Sequence, residues 1–548
     1  MSWLLPAPVL IPFLAAGAAM MAGRRYRLQA ALTVVAVVAS LLVACLLAFE
    51  ARHGPLTLDV GSWAAPLGIT LVVDELAGIM LVTSLAVTLL VLLFTLAQAQ
   101  VNDGDSDAPA SVYHPVFQPA YLILSAGVSN AFLTGDLFNL YVGFEILLAA
   151  SFVLMTLGGT AQRIRAGSVY VVVSLTGSLV FLTGIALTYG TYGTLSFAQL
   201  AMRIRDGDAG MALIIQTVFL LAFGLKAAIF PLSAWLPDSY PTASAPITAV
   251  FAGLLTKVGI YAIIRTQVLL FPTSAADTVL GVAGIVTMIV GILGAIAQDD
   301  IKRLLSFTLV SHMGFMLWGI VLGNRIGLAA AIFYAVHHIV VQTTLFLVAG
   351  LMEHVGGSTS LRRLSSLASV SVGLICLYLV PALNLVGFPP LTGFIGKLGL
   401  AEASVRSATP LAWSLLAAGL ITSLLTLYVV VKVWNMAFWQ TAEEEGADPR
   451  PSGGLRHARA RAMAAPTAGL VILSLALTLA AGPLMSYTSR GAARLLERKD
   501  YVEAIIADTG RGQGDSRHVG DEAPDVIDRP SDHDEGDPDS RLTEEGQR

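Results

Sequence analysis

Residues 223–238 read FGLKAAIFPLSAWLPD and residues 255–259 read LTKVG, so two lysines stand inside long apolar runs. Lys226 follows an uncharged stretch and precedes Pro231, and Lys257 lies in the next apolar run. A lysine at the centre of a membrane helix costs roughly 2.5–3.5 kcal/mol on insertion scales. A cost of this size indicates that both lysines have a function.

The composition indicates a polytopic membrane protein. Of 548 residues, 55% are hydrophobic and only 13% are charged, whereas a soluble protein carries about 25% charged residues. Cys45 and Cys376 both lie in apolar runs, which indicates neither a disulfide framework nor a metal cluster. The net charge of −5 reflects a strongly acidic C-terminal end. No polar segment is long enough for a soluble catalytic domain.

Apolar runs of about twenty residues are long enough to cross a bilayer as helices. They predict about fourteen membrane helices, at residues 1–23, 28–49, 68–98, 117–136, 138–158, 168–189, 211–230, 246–267, 277–297, 304–323, 327–350, 370–401, 411–436 and 463–487. The first run has no cleavage site and no basic segment before it, so we expect an uncleaved helix rather than a signal peptide. The predicted fold class is all-α.

Lysine and arginine concentrate in alternate loops. If the N-terminus is outside, the inside loops hold Arg24, Arg25, Arg27, Arg163, Arg165, Lys302, Arg303, Arg362, Arg363, Arg450, Arg456, Arg459 and Arg461. The outside loops hold fewer: Arg52, Arg203, Arg205, Arg325 and Arg406, with Arg265 at a helix end. Because basic loops face the cytoplasm, we expect both termini outside a bacterial inner membrane.

Two polar segments predict solvated chain. Residues 508–548 are rich in Asp, Glu, Gly, Arg, Ser and Pro, a composition typical of disorder. We expect a solvated extension, with a partner or cation contact as the alternative. Asp103, Asp105 and Asp107 offer oxygen ligands at alternate positions but lack the rest of a calcium loop. We therefore predict a solvated loop and no metal site.

Six ionisable residues fall inside predicted membrane helices: Glu145, Lys226, Lys257, His337, His338 and Lys397. Each could be structural, as half of a buried ion pair or as a satisfied core histidine. Three lysines and one central glutamate, however, cannot all be neutralised by static pairing. Buried lysines can titrate at roughly pH 5–6, and histidine titrates near neutral pH. A series of such groups is what a proton path through a membrane needs.

Prolines interrupt two of the predicted helices. Lys226 precedes Pro231 in helix seven, and Lys397 follows Pro390 in helix twelve. Proline frees carbonyl groups at membrane depth, and paired broken helices mark the ion path in transporters built from inverted repeats. We predict two inverted five-helix repeats. The predicted division is 1–110 for helices one to three, 111–267 for helices four to eight, 268–440 for helices nine to thirteen, 441–507 for helix fourteen with its flanks, and 508–548 for the tail.

The motifs around these residues resemble those of the proton-conducting antiporter-like subunits shared by respiratory complex I and the Mrp multisubunit sodium/proton antiporters. The resemblance covers roughly residues 60–440. Its motifs are GFE at 143–145, LKAAIFPLSAWLPD at 225–238, LTKVGIY at 255–261, DIKRLLS at 300–306, and GFPP at 387–390 before GK at 396–397. Within the family, the run GDLFNLYVGFE at 135–145 is most similar to the D-type subunits of Mrp antiporters.

Two departures separate the chain from other branches of the family. Lys397 argues against the complex I subunit that carries glutamate at that place. The chain ends soon after the last predicted helix, which argues against the large A-type Mrp subunit and the complex I subunit with a long lateral helix.

The resemblance implies a role for each matching residue. Glu145 and Lys226 would be a coupled pair whose separation shifts the proton affinity of the lysine. Lys257 would be the central relay, His338 the relay in helix eleven, and Lys397 the terminal site. The supporting residues would be His337, Asp136, Pro231, Pro237 and Pro390. The family commonly has a lysine four residues after the histidine of helix eleven. Here Gln342 takes its place, so the relay depends more on His338 or on water.

We therefore expect a proton-translocating subunit of a multisubunit Na+/H+ antiporter, which is a transporter and not an enzyme. The implied partners are the Mrp-like A, B, C, E, F and G subunits, protons, sodium and lipid, with no cofactor, metal or nucleic acid. Glu145 and Asp136 are the only carboxylates well placed in helices four and five, which favours protons here and sodium elsewhere. The alternatives are a proton-pumping subunit of complex I, a stand-alone transporter of an organic solute, and a structural scaffold.

Overall fold

The computed structural model describes residues 1–102, 114–272, 274–364, 367, 371–440 and 454–506. The predictions for Asp103, Asp105, Asp107 and the tail at 508–548 lie outside these residues. Within the described part the chain is almost entirely helical, with one small β-hairpin near the N-terminus.

The helices and strands follow each other in this order: α1 Ala7–Met21, α2 Tyr26–Glu50, β1 Leu56–Asp59, β2 Thr70–Val73, α3 Glu75–Asn102, α4 Phe117–Leu133, α5 Leu137–Thr156, α6 Ala161–Tyr192, α7 Phe197–Arg203, α8 Ala209–Ala227, α9 Trp235–Ser239, α10 Ala245–Val250, α11 Thr256–Leu269, α12 Ala276–Ile296, α13 Ile301–Val321, α14 Arg325–Gly356, α15 Val372–Val386, α16 Thr392–Ser407, α17 Pro410–Val433, α18 Gly454–Leu479 and α19 Ala481–Glu497. Two π-helical segments, Phe251–Leu255 and Trp434–Trp439, follow α10 and α17 directly.

The predicted fold class, an all-α polytopic membrane protein, is confirmed. Among the described residues, twelve helical segments are long and apolar enough to cross a membrane. The helix α4 has only 17 residues, and α15 and α16 are the two parts of one interrupted helix. The count of fourteen crossings therefore stays a prediction.

The prediction for the third span, 68–98, was wrong at its start. Residues Thr70–Val73 form β2, which pairs antiparallel with β1, and α3 begins only at Glu75. The run TLVV contains three β-branched residues, which favour a strand. Asp74 then starts the helix, because its carboxylate accepts a hydrogen bond of 2.9 Å from Ala77 N. We call the end of the molecule that carries this hairpin the hairpin side.

The last predicted span, 463–487, was also wrong in its extent. The helix α18 ends at Leu479, and α19 is a separate helix that packs across α14 and α3. One face of α19 buries Leu484, Ala492 and Leu495, whereas Arg490 is exposed. A helix with one apolar and one charged face lies against a surface rather than crossing a membrane.

Several local features occur once in each predicted repeat. Asp136 forms an isolated β-bridge with Ser196, and Asp300 forms one with Ser360. Each aspartate also caps the helix that follows it. The helices α6 and α14 both have 32 residues and both end at a glycine in the left-handed conformation. These matches agree with two related halves, although the inverted relationship itself stays a prediction.

The helix α14 lies at the centre of the molecule and is wholly buried over its membrane-crossing part. It packs against α13, α16, α18 and α19, and also against the N-terminal helix α3. A helix that is apolar all round can be stable only in such a position. Polar residues of α14 are therefore surrounded by protein on every side.

Candidate proton pathway

Glu145 and Lys226 are joined through a serine of the helix between them. The hydroxyl of Ser178, on α6, donates a hydrogen bond to Glu145 Oε1. The serine oxygen in turn accepts a hydrogen bond of 2.8 Å from Lys226 Nζ. Lys226 also donates to Ser174 O at 3.2 Å. The predicted pair is thus brought together, but with a hydroxyl group between the charges.

The break after α8 sets the position of Lys226. The helix ends at Ala227, and Ala228 has a left-handed conformation with φ of 54°. Ile229 N then donates to Gly224 O at 2.9 Å, which closes the helix end before the prolines. Lys226 is 8% exposed and lines a small pocket whose other walls include Tyr170 and Trp235.

Lys257 is completely buried at the start of α11. Its Nζ donates a hydrogen bond of 2.6 Å to Ala252 O, which belongs to the π-helical segment Phe251–Leu255. Such π-helical turns free carbonyl groups and are frequent at functional sites. A glycine is required nearby, because a β-carbon at Gly259 would lie 2.9 Å from Ala227 N. Gly259 therefore lets α11 approach the broken end of α8.

His338 pairs with a histidine that the sequence analysis missed. The rings of His338 and His312 stack with centroids 5.2 Å apart, and His312 Nδ1 shares a hydrogen bond of 2.6 Å with the Tyr334 hydroxyl. Both ring nitrogens of His338 are buried without a hydrogen-bond partner in the described part of the protein. Both histidines lie within electrostatic reach of Lys257 and Lys397. His312 could have been noticed, because it also interrupts an apolar helix.

His337 instead points to the break between α15 and α16. Its Nδ1 shares a hydrogen bond of 2.9 Å with Thr392 Oγ1, and Thr392 donates to Asn384 Oδ1 at 3.1 Å. Asn384 also accepts from Gly393 N at 2.8 Å and donates to Ser474 Oγ at 2.9 Å. The Asn384 amide therefore joins both parts of the broken helix to α18.

Lys397 lies beside the same break. Its Nζ donates to Leu385 O at 3.1 Å and to Val386 O at 2.7 Å, two carbonyl groups at the end of α15. The chain turns at Gly387, whose φ of 91° suits glycine. The ammonium group also lies 4.7 Å from the centre of the Phe315 ring.

Gln342 occupies the position of the family lysine. Its Nε2 donates to Leu305 O at 2.7 Å, which turns the amide toward α13. Its Oε1 is buried and accepts no hydrogen bond from the described residues. A water molecule with polar neighbours is the usual partner of such a group.

The supporting residues fall in two places. Pro231 lies in the break that follows α8, and Pro237 lies in α9, directly after this break. Pro390 lies in the break before α16. Asp136 instead caps α5 on the hairpin side, where its Oδ1 accepts from Asn139 N at 2.9 Å. It does not join Glu145, which lies more than two turns further along the same helix.

Two ion pairs on the hairpin side were not predicted from the sequence. Arg265, which is 1% exposed, binds both carboxylate oxygens of Asp74 and donates from Nε to the Tyr261 hydroxyl at 2.9 Å. Arg494 of α19 pairs with Glu75 at 2.6 Å. The aspartate and glutamate open α3, where no apolar pattern indicated their burial.

Comparison with known proteins identifies the family. A family model described as NADH:quinone oxidoreductase/Mrp antiporter, transmembrane, matches residues 134–426, which contain every residue of the predicted proton series. The chain belongs to this family. The resemblance that the motifs indicated is thus confirmed.

Curated relatives in this family match over almost their whole length. The D subunit of the Na(+)/H(+) antiporter of Alkalihalophilus pseudofirmus is 37% identical over 506 residues, which cover 91% of this chain and 98% of the relative. The D subunit of the Na(+)/H(+) antiporter of Bacillus subtilis is 33% identical over 504 residues, with the same two coverages, 91% and 98%.

Solved structures agree with this assignment. A chain of the Mrp complex from Dietzia sp. DQ12-45-1b is 30% identical and superposes with a TM-score of 0.83 over 92% of this chain and 100% of that chain. A chain of respiratory complex I from Thermus thermophilus with bound NADH gives a TM-score of 0.73 at 23% identity, over 90% of this chain and 99% of that chain. This second likeness shows the shared fold alone.

Proposed function

We propose that this chain is a proton-translocating subunit of a multisubunit Na+/H+ antiporter. The relatives at 37% and 33% identity are named as the D subunits of Na(+)/H(+) antiporters, and the similar chain of the Dietzia sp. assembly belongs to a Mrp complex. The proposed partners are the other membrane subunits of such a complex. The chain acts as part of a transporter and not as an enzyme.

One observation carries the proposal: ionisable side chains form a buried series from one broken helix to the other. Glu145 and Lys226 meet at Ser178. Lys257 and Lys397 donate to backbone carbonyls and lie within electrostatic reach of the histidine pair on α13 and α14. Groups of this kind at membrane depth are typical of proton relays.

The Glu145–Ser178–Lys226 arrangement supports a switch at the start of the series. A hydrogen bond to a charged group contributes about 1.5–3 kcal/mol, and about 1.4 kcal/mol corresponds to a tenfold change in proton affinity. Moving the serine hydroxyl away from either partner would therefore change the proton affinity of the lysine about ten- to a hundredfold. That range is sufficient to load and release one proton near neutral pH.

Beyond the switch, the proton would pass from Lys226 to Lys257 and across the central helix to Lys397. His338 and His312 would accept and release it between the two lysines, because an imidazole ring has one nitrogen that accepts a proton and one that donates it. Gln342 would hold a water molecule beside them but would not itself carry the proton. Lys397 would release its proton to water at the break at the end of α15, while the carbonyls of Leu385 and Val386 hold its amino group in place.

The proposed orientation has both termini outside. The end opposite the hairpin carries Arg163, Lys302 and Arg303 in loops or at helix ends, and basic loops face the cytoplasm. We call this end the basic side. A free cysteine in a loop of the hairpin side would be labelled from outside intact cells if the orientation is right.

The function is tested by sodium-driven proton movement in inverted vesicles, with the whole gene cluster expressed in an antiporter-deficient host. Lys226→Ala and Glu145→Ala should abolish this movement while the complex still assembles. Lys499→Ala is the matched control, because Lys499 is exposed and makes only a surface pair with Glu503. Normal antiport in either pathway variant would remove the core of the proposal.

Inactivity of the native complex would favour the complex I branch of the family. In that case the chain should co-purify with a quinone-reducing assembly. Sodium-driven movement that requires Lys226 would exclude that branch.

A further inference from the structure

A large polar cavity opens on the basic side between α9, α10, α13 and α14. It has an empty volume of about 1,290 Å³ and is lined by Gln162, Arg163, Asp238, Lys302, Arg303 and Glu353, among others. We call it the vestibule. Its walls carry charges of both signs, so water and protons can occupy it. None of these residues belongs to the proton series described above.

An ion pair stands at the inner wall of the vestibule. Lys302 Nζ lies 2.7 Å from Glu353 Oε2, and the two side chains are unequally buried, at 7% and 41% exposure. The carboxylate therefore faces the open vestibule, whereas the lysine side chain is almost wholly covered by protein. In contrast, the Arg265–Asp74 pair is buried on both sides, at 1% and 7% exposure.

Polar groups continue inward from this lysine along α13. The hydroxyl of Ser306, one turn further, is fully buried and donates to Lys302 O at 2.9 Å. The neighbouring Leu305 O accepts the hydrogen bond from Gln342. Next come Gln342 Oε1 and both ring nitrogens of His338, one turn apart on α14, which have no hydrogen-bond partner among the described residues. The ion pair thus stands at the vestibule end of a line of buried polar groups on α13 and α14.

We propose that the vestibule is the mouth through which protons reach the central histidines, and that the Lys302–Glu353 pair closes it. When the pair separates, Lys302 turns inward toward Gln342 and water follows it from the vestibule, so that protons pass along this water to His338. This inference rests on the proposed function for the direction of transport. The closure of the vestibule by the pair can be tested without transport.

The unequal burial of the two residues makes separation feasible. The Glu353 carboxylate is 41% exposed, so water can replace the lysine as its hydrogen-bond partner. Neither member of the Arg265–Asp74 pair has such access to water, because both side chains are buried. Of the two pairs, only Lys302–Glu353 therefore suits a gate.

The transport test compares a charge removal with a charge exchange. Lys302→Met should lower sodium-driven proton movement at least tenfold while the complex still assembles. The exchange Lys302→Glu with Glu353→Lys keeps an ion pair but removes the inner lysine. It should restore the amount of assembled complex to the native level and leave transport at least tenfold reduced. Native transport in the exchange variant would show a purely structural pair and would overturn the proposal.

A second lysine on the basic side provides the matched control. Lys432 lies 3.3 Å from Asp299, and neither residue lines the vestibule. The hydrogen bond from Lys432, together with Arg362, holds the pKa of the Asp299 carboxyl below its usual value. The Asp299 carboxylate therefore stays ionised throughout the pH range of transport assays. Lys432→Met should leave transport within about twofold of native, and a tenfold loss there would overturn the assignment to the vestibule.

Closure is tested by cysteine labelling. Cys45 and Cys376 are the only cysteines of the chain and are first replaced by alanine. Gln162→Cys is exposed in the vestibule and should react rapidly with a membrane-impermeant methanethiosulfonate added on the basic side. Ser306→Cys, behind the pair, should react slowly. Adding Glu353→Gln should accelerate its labelling at least tenfold, as measured by mass spectrometry of the chain.

The two failures are distinguishable. Equal labelling of Ser306→Cys with and without Glu353→Gln would overturn the gate, whatever the transport activity. If the native complex moves no protons but the labelling difference appears, the closure of the vestibule stands and the proposed function fails.

Discussion

Glu145 and Lys226 share a single hydroxyl group. Ser178 accepts a hydrogen bond of 2.8 Å from the lysine ammonium and donates a hydrogen bond from its hydroxyl group to the glutamate. A hydroxyl placed in this way responds to the charge of both neighbours, because its acceptor and donor functions are both in use. Ser178 can therefore transmit a change at Glu145 to Lys226 without contact between the two charges.

Replacement of this serine should uncouple the pair. We expect Ser178→Ala to lower sodium-driven proton movement about tenfold or more, since hydrogen bonds to charged groups contribute about 1.5–3 kcal/mol. The measurement is the vesicle assay at equal complex content. Ser168→Ala is the control, because this serine is on the same helix and bonds only to Ile164 O at an exposed site. Native activity of Ser178→Ala would remove the serine from the switch.

Gln342 on α14 should be replaceable by the lysine that the family commonly carries at this position, but not by an apolar residue. Gln342→Lys keeps a donor for Leu305 O and adds an ionisable group, so we expect at least native transport. Gln342→Leu loses the donor and the water-binding oxygen, and transport should fall about tenfold. The two variants are compared in the same vesicle assay. Equal activity of both would mean that no water at Gln342 takes part.

The amide of Asn384 should hold the second break in place. Asn384→Leu removes two acceptor bonds, from Gly393 N and Thr392, and one donor bond to Ser474. Each buried group left unpaired costs about 1–3 kcal/mol, so we expect a lower thermal midpoint and a loss of transport.

Ser474→Ala is the partial control for this site, because it removes only the bond to α18. Its thermal midpoint should fall by less than half as much as that of Asn384→Leu. A larger fall in the thermal midpoint for Ser474→Ala than for Asn384→Leu would show that the contact with α18, and not the hydrogen bonds within the break, stabilises the protein. Both midpoints are measured on the purified complex in detergent.

The buried Arg265–Asp74 pair should tolerate joint replacement better than single replacement. Arg265→Met leaves Asp74 buried without its cation, which costs about 3–5 kcal/mol, so the chain should be scarce in the membrane. Asp74→Asn with Arg265→Met keeps an acceptor for Ala77 N and removes both charges. This double variant should recover most of the lost abundance.

The exposed pair Arg205–Asp206, at 82% and 76% side-chain exposure, provides the comparison for this prediction. Arg205→Met should leave membrane abundance unchanged. If Arg265→Met were equally harmless, the hairpin-side pair would not contribute to stability. Abundance is measured by quantitative blotting of membranes.

The sequence predicted those features that depend on a large local cost. A lysine in an apolar helix or a proline at membrane depth is expensive wherever it falls, so Lys226, Lys257, Lys397 and both breaks could be located without coordinates. Apolar length likewise predicted most helices to within a few residues. The β-hairpin was missed because strand Thr70–Val73 adjoins α3 with only Asp74 between them.

The rest of the site depends on contacts that no local pattern specifies. Ser178 is one of many helix serines, and only the positions of α5 and α8 around α6 give it two charged partners. The Lys302–Glu353 pair joins residues near the ends of two different helices, which no sequence spacing connects. Burial of Arg265 likewise follows from its contacts with Asp74 at the start of α3 and with the ring of Tyr501, not from its own helix.

The Glu75–Arg494 pair also determines the order in which the protein can be completed. The two residues are 419 positions apart, and ribosomes add about 5–20 residues per second. Glu75 is 1% exposed in the finished protein, yet its cation is synthesised only about 20–80 s after it. During that interval the Glu75 carboxylate must be hydrated or held by the insertion machinery, because Arg494 has not yet been synthesised. The hairpin side is therefore a late product of biogenesis, and a truncated nascent chain would be recognisable by an open and water-accessible α3.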